Sequence, residues 1–369
     1  MSTPHAMTHR RDDHGSESRE WIVGLDDPIL ITGAAGFIGA RVVRGLLERG
    51  FRRIRCLTRP SSNLTRFQSV VGTIPAGAAV EIVEGNLLSA GDCFEATKGA
   101  ALVLHLAAAR GEKSFPDAFM NSVVTTRNLL EACVAQGSVR RFVNISSFAV
   151  YTNTNKPRRG VLDESCPVEP QPHLRGHAYT FAKAKQDDIV KEYSEARGLP
   201  YVIVRPGYVY GGGNEAITNR VGIGTFGLFL HLGGPNTLPL TFVDNCADAI
   251  VLAGLAPGVD GQVFNVVDDD LPTSRQFLRL YKRNVRRFGS LYLPHAVSYT
   301  LCYLWEKYSD WSEGQLPPAY NRLAWYAFWK RTRYSNDKAK TLLGWTPRVS
   351  TKDALSRYFA SCRDKAQHA

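Results

Sequence analysis

Tyr179 and Lys183 stand four residues apart in the run Tyr179-Thr180-Phe181-Ala182-Lys183. On a helix that spacing puts both side chains on one face, one turn apart. An ammonium so placed favours ionisation of the phenol, whose free pKa is about 10. A phenol tuned in this way exchanges a proton with a substrate hydroxyl or carbonyl near neutral pH. The pair also occurs on ordinary solvated helices, so its meaning rests on what precedes it. Earlier in the chain the apolar run 142–145 ends in Ser146-Ser147-Phe148-Ala149-Val150-Tyr151. A serine at the carboxyl edge of a parallel sheet faces the ligand crevice.

The elements that must hold these residues begin at Pro28-Ile29-Leu30-Ile31-Thr32, an apolar run too short for a helix and bounded by turn residues. It reads as a buried strand. The run leads into Gly33-Ala34-Ala35-Gly36-Phe37-Ile38-Gly39 and then an amphipathic helix ending near Gly50. Strand, glycine turn and helix are the context a dinucleotide fingerprint requires. Gly33 permits the tight turn, Gly36 admits backbone close to a pyrophosphate, and Gly39 lets helix pack on strand. The next strand, around Ile54-Arg55-Cys56-Leu57, ends in Thr58-Arg59 rather than in an acidic residue. A hydroxyl and a guanidinium suit a 2′-phosphate, which leans towards NADP with NAD as the alternative. Patterns at 80–83, 101–105, 115–136 (a long helix) and 141–146 continue the alternation, which is that of a doubly wound parallel sheet. His105 reads as a strand-end histidine rather than a base. The small Ala107 and Ala108 after it let a cofactor lie against the strand end.

A chain of 369 residues can bury a large α/β core with a smaller lobe. Its net charge of +11 fits an anionic cofactor or substrate, or a membrane surface. No nucleic-acid signature or zinc-finger spacing accompanies the charge, so neither nucleic acid nor a metal is expected. The seven cysteines are scattered and lack Cys-x-x-Cys, as in a reduced cytoplasmic protein. Residues 1–26 are polar and without apolar periodicity, which predicts a disordered tail. No apolar run reaches membrane-spanning length.

With these pieces in place the chain resembles the extended short-chain dehydrogenase/reductases, the NAD-dependent epimerase/dehydratase family. The resemblance is carried by Thr32-Gly33-x-x-Gly36-Phe37-Ile38-Gly39, Gly85-Asn86-Leu87, His105-Leu106-Ala107-Ala108, Ser146-Ser147-x-x-Val150-Tyr151, Tyr179-x-x-x-Lys183 and Arg205-Pro206-Gly207-x-Val209-Tyr210-Gly211. Weaker matches at Val243-Asp244-Asn245 and around Leu343-Gly344-Trp345 extend it through the second half. It implies a Rossmann-type cofactor domain over 27–212 that carries catalysis. It implies a substrate-binding lobe over 213–369, with strands and helices returning to the first domain. Tyr179 is then the proton donor and acceptor, Lys183 tunes it and holds the nicotinamide ribose, and Ser147 orients the reacting oxygen. The cofactor-binding set becomes Gly33, Gly36, Phe37, Ile38, Gly39, Thr58, Arg59, Asn86, Leu87, Ala107, Ala108, Tyr179, Lys183 and Pro206. Asn86 replaces the more frequent adenine-contacting aspartate, and the family's helix asparagine falls on Ser122, one place after Asn121.

Two departures bear on substrate. Tyr208 stands where sugar-nucleotide enzymes carry an asparagine, and no cation precedes Val243-Asp244 to pair with a diphosphate. Arg220, or the run Lys282-Arg283 and Arg286-Arg287, is the available substitute, although that run also fits a solvated helix face. The lobe ends in aromatic stretches, Tyr299 to Trp305 and Leu323 to Trp329, that suit core and dimer contacts, a bulky apolar substrate, or a membrane surface. The lobe looks like the 3β-hydroxysteroid and sterol dehydrogenase branch. The expectation is an NAD(P)-dependent oxidoreductase of a secondary alcohol or ketone, with a steroid- or isoprenoid-like substrate. A nucleotide-sugar 4-epimerase or dehydratase is the alternative. A non-catalytic nucleotide sensor is disfavoured by the intact Ser147, Tyr179 and Lys183. The resemblance further implies a homodimer through helices near 115–136 and 179–197.

Overall fold

A computed structural model describes residues 20–108, 114–155, 160–225, 227–313, 315–316 and 320–367. Seven strands form one sheet: β1 (Ile29–Thr32), β2 (Arg53–Thr58), β3 (Ala79–Glu84), β4 (Leu102–His105), β5 (Arg141–Ile145), β6 (Tyr201–Pro206) and β7 (Val263–Val266). Their order is β7-β6-β5-β4-β1-β2-β3 and every neighbouring pair is parallel. The chain direction across the sheet reverses between β1 and β4, so a crevice opens there beyond the carboxyl ends of the strands. Every residue of β1, β4 and β5 is buried, as a parallel sheet covered on both faces requires.

Alternation along β1 separates the two cores. Ile29 and Ile31 join the side packed by α1 (Gly39–Leu47), whereas Leu30 joins the side packed by α2 (Thr125–Gln136) and α3 (Ala178–Arg197). α4 (Val243–Leu255) completes the α1 side. This is the doubly wound, Rossmann-type α/β fold expected from the strand and helix patterns. The helix expected over 115–136 is interrupted: Phe115–Ala118 and α2 flank a π-helical segment, Phe119–Val124.

β7 and α4 lie beyond residue 212 yet belong to the sheet layer. The rest of the second half forms a smaller lobe that includes α5 (Ser274–Asn284), α6 (His295–Trp311) and α7 (Arg322–Trp329). A three-stranded sheet, Gly222–Thr225, Leu228–His231 and Ser290–Tyr292, supports it. One lobe core gathers Phe277, Tyr281 and Tyr358; another gathers Cys302, Trp325 and Trp329. Among the described residues no helix is long and apolar enough to cross a membrane.

Of the expected tail, residues 1–19 lie outside the described residues. Its last part is packed rather than free: Val23 is buried, and the Ile22 N–H donates to Leu255 O at 3.1 Å. Three consecutive apolar residues, Trp21-Ile22-Val23, reach the end of α4. They are too few to show a periodicity in sequence.

Candidate active site

The glycine turn fixes one end of the site. Gly33 has φ +71°, and a Cβ there would lie 2.9 Å from Ala107 N. A Cβ on Gly39 would collide with Gly33 O and Ala34, so only glycine lets α1 begin against the end of β1. The start of α1 therefore lies against the turn, where a helix N-terminus favours an anion.

Thr32 and His105 tie β1 to β4 beneath that turn. The Thr126 hydroxyl donates to Ser122 O at 2.6 Å, so His105 Nε2, 2.9 Å from Thr126 Oγ1, is the donor of that contact. His105 Nδ1 then accepts from Thr32 Oγ1 at 2.7 Å. Burial and, secondarily, the Lys183 charge push the imidazole down to about 3, which keeps it neutral. It is a strand-end residue that braces the sheet.

α3 brings Tyr179 and Lys183 to the cleft. Alanines and long straight side chains favour this helix, and Gly198 closes it with φ +68°. Its inward face is polar where it passes the end of the sheet: Thr180, Lys183, Gln186 and Asp187 are all buried. Each of the last three has a partner. Lys183 Nζ donates to Ile145 O at 2.6 Å, and Gln186 Nε2 donates to Thr126 Oγ1 at 2.7 Å. Asp187 accepts from Asn144 Nδ2 at 3.0 Å, Ser146 Oγ at 2.9 Å and Arg205 Nη2 at 2.9 Å. Burial pushes the Lys183 ammonium down to about 8, with Asp187 opposing the shift. Arg205 is moved the other way: burial opposes its charge, but Asp187 and Tyr151 outweigh that and hold it above its usual range.

Ser147 leaves β5 and caps the short 3₁₀ turn Phe148–Val150, accepting from Ala149 N at 3.2 Å. Its own hydroxyl proton stays available. Ser147, Tyr179 and Lys183 line one cleft of about 630 Å³, together with Gly33, Gly36, Phe37, Ile38, Gly39, Ala108 and Pro206.

Five of the expected cofactor residues, Thr58, Arg59, Asn86, Leu87 and Ala107, are not among the cleft lining. Ala107 N–H donates to Thr32 Oγ1 at 3.3 Å and so supports the turn from behind. Thr58 is buried at the end of β2, and Arg59 is exposed with no carboxylate partner among the described residues. The Asn86 carboxamide closes a local turn by accepting from Leu88 N at 3.0 Å. Asn86 N–H donates to Asp92 at 2.7 Å, and that bond and the Ser89 hydroxyl hold the carboxyl below its usual range. Leu87 is half-buried against the α2 side of the core. Asn121 donates to Asp117 within its own helix and does not line the cleft.

Sequence reading missed part of the opposite wall, which His177 and Phe328 line with Ile217, Thr218 and Asn219. His177 carried a signal, being two places before Tyr179. Phe328 lies in the aromatic stretch Leu323 to Trp329, which the sequence offers as core or as a pocket for a bulky apolar substrate without singling this residue out.

Residues 29–266 match the NAD dependent epimerase/dehydratase family. Short-chain dehydrogenase/reductase family 42E member 1 of Mus musculus is 30% identical over 90% of this chain and 87% of its own length. A 2-alkyl-3-oxoalkanoate reductase of Stenotrophomonas maltophilia is 26% identical over 90% of this chain and 98% of its own. A trifunctional UDP-glucose 4,6-dehydratase/epimerase/reductase of Arabidopsis thaliana is 28% identical over 64% of this chain, which spans only 36% of that enzyme's length. A UDP-glucose 4-epimerase of Thermotoga maritima, solved with UDP-glucose, superposes with a TM-score of 0.66 at 21% identity over 92% of this chain and 99% of its own. Likeness at that identity is a likeness of fold.

Proposed function

The chain belongs to the NAD-dependent epimerase/dehydratase family and is an NAD(P)-using enzyme of it, and from that premise we propose that it oxidises a secondary alcohol or reduces the matching ketone. The observation that carries this reading is the convergence of Ser147, Tyr179 and Lys183 on the cleft that the glycine turn opens. The turn suits a pyrophosphate: glycine at Gly33 and Gly39, where a Cβ would strike backbone, keeps the turn tight against the start of α1, and a helix N-terminus favours an anion. Bound NADP or NAD supplies the hydride acceptor or donor. Tyr179 takes the proton from a carbinol hydroxyl, or returns it to a carbonyl oxygen. The Ser147 hydroxyl donates to that same oxygen and fixes its position. Lys183, buried one turn below Tyr179, presents a cation that favours the phenolate and is held by Ile145 O. Replacing Tyr179 with Phe should lower turnover by about 10²-fold or more while cofactor still binds, as single-turnover kinetics and a binding titration will report. Near wild-type turnover would remove the assignment.

NADP is the proposed cofactor in preference to NAD, supported by the exposed Arg59 just past the end of β2, which has no carboxylate partner among the described residues. The substrate wall formed by Tyr208, Ala216, Ile217 and Phe328 favours a bulky apolar body of the steroid or isoprenoid kind. The reductase relative that matches over nearly its whole length supports ketone chemistry. A nucleotide-sugar 4-epimerase or dehydratase is the second reading, favoured by the trifunctional Arabidopsis thaliana relative.

A homodimer is proposed through the helical stretch 115–136 and α3. Phe119 and Met120, 40% and 44% exposed, offer apolar surface beside Phe181 of α3. Peripheral contact with an anionic bilayer is proposed for the C-terminal lobe. Val297, Leu301, Leu304, Tyr308 and Trp311 are exposed along a single stripe of α6. Exposed Arg275, Arg279, Arg283, Arg286 and Arg287 have no carboxylate partner among the described residues, and Arg275 lies over Tyr292, two residues before Pro294 and α6. Seven free, buried thiols suit a cytoplasmic location.

A further inference from the structure

Among the described residues that line the cleft there is no aspartate or glutamate, while Lys183 and Arg220 bring two cations to it. Lys183 belongs to the proton-transfer pair. Arg220 is supplied by the other lobe and has no part in that chemistry.

Its position is built. Nη1 donates to Ala327 O at 2.8 Å, and the guanidinium lies 5.4 Å from the centre of the Phe328 ring. The Arg220 N–H donates to Thr218 Oγ1 at 3.3 Å, and the neighbouring Asn219 O accepts from Trp329 Nε1 at 3.0 Å. Phe328 in turn meets the His177 ring edge-on at 5.3 Å, two residues before Tyr179. The guanidinium is thus set on the cleft wall that leads to the acid/base residue.

Among the described residues nothing neutralises its charge. Nε and Nη2 of Arg220 have no acceptor among the described residues, and no carboxylate lies within ion-pair distance. Glu169 is engaged by Arg175 at 3.3 Å. Arg175 is buried with Ala149 O and Tyr151 O as further acceptors. Burial lowers its pKa, Glu169 opposes this, and the Arg220 charge lowers it further, which places two like charges close together. A guanidinium with an open edge, held rigidly beside apolar groups and near a second cation, is a receptor for a single planar anion.

We propose that Arg220 receives an anionic group of the substrate, and that the substrate is an apolar oxo or hydroxy acid whose carboxylate pairs with the guanidinium. The substrate class rests on the dehydrogenase reading of this cleft. The anion site itself does not. The apolar neighbours Ile217 and Phe328 suit a carboxylate on a hydrocarbon body. No cation precedes Val243-Asp244 to pair with a sugar diphosphate.

Calorimetric titration of NADP⁺-saturated protein with decanoate, decanol and UDP separates these cases without requiring turnover. Wild-type protein should bind decanoate at least about tenfold more tightly than decanol. R220Q should lose that preference with decanol unchanged, and R220K should keep part of it. Retained NADP⁺ binding in R220Q shows that the fold is intact. Equal binding of decanoate and decanol, or an R220Q protein that behaves as wild type, would overturn the proposal. UDP bound in an Arg220-dependent way, with decanoate ignored, would overturn the acid in favour of a nucleotide. Arg220-dependent decanoate binding without turnover of any apolar oxo acid would count against the dehydrogenase reading and leave the anion site standing.

Discussion

At the scale of single residues, the decisive group is Lys183, because the proposed reaction needs its charge and burial penalises it. Burial brings its pKa down to about 8, so it is an ammonium at neutral pH and loses its proton as the pH rises through that value. The free enzyme's kcat/KM should therefore fall above about pH 8, and Lys183→Arg, which stays charged, should move that limb upward. His105, held near 3 by burial, should add no limb between pH 5 and 8. A wild-type profile flat to pH 10 would contradict this placement of the lysine. Tyr179, Lys183 and Ser147 were legible because helix spacing and a strand end dictate where such side chains point. Asp187 was not, although it stands four residues after Lys183. A carboxylate on a helix ordinarily faces water, and only Asn144, Ser146 and Arg205, brought from two other strands' ends, make this one an interior group.

At the scale of elements, Asp187 joins α3 to β5 and β6 under the turn that carries Ser147. Asp187→Ala leaves Arg205 buried and unpaired, which should cost about 3–5 kcal/mol in urea unfolding. The same change removes the charge that raises the Lys183 pKa, so the alkaline limb should move below about 8. A variant with unchanged stability and limb would show that the pair is incidental. The parallel strands were readable as short apolar runs because both faces of the sheet are covered. The π-helical segment Phe119–Val124 was not, since its backbone pattern leaves no mark on apolar spacing. The three-stranded sheet of the lobe also escaped, because Gly222-Ile223-Gly224-Thr225 carries few side chains with which to announce a strand.

At the scale of the whole molecule, two surfaces remain to be covered. Light scattering should report a dimer that Phe119→Glu weakens, whereas Leu301→Glu with Leu304→Glu should leave the dimer intact and abolish sedimentation with phosphatidylglycerol vesicles. If the α6 pair breaks the dimer instead, that stripe is a contact between copies. These surfaces and the Arg220 wall arise from distant parts of the chain, so a linear reading could offer only the composition of each part. The central claim is net oxidoreduction at the Ser147, Tyr179 and Lys183 cleft. Its most direct test incubates the purified protein with oxidised NADP or NAD and two pools, apolar hydroxysteroids and hydroxy acids in one, UDP- and dTDP-sugars in the other. Absorbance of reduced nicotinamide and mass spectrometry of products are followed together. The account predicts reduced cofactor accumulating with the apolar pool, faster with NADP. A sugar isomerised or dehydrated with no net reduced cofactor would contradict it.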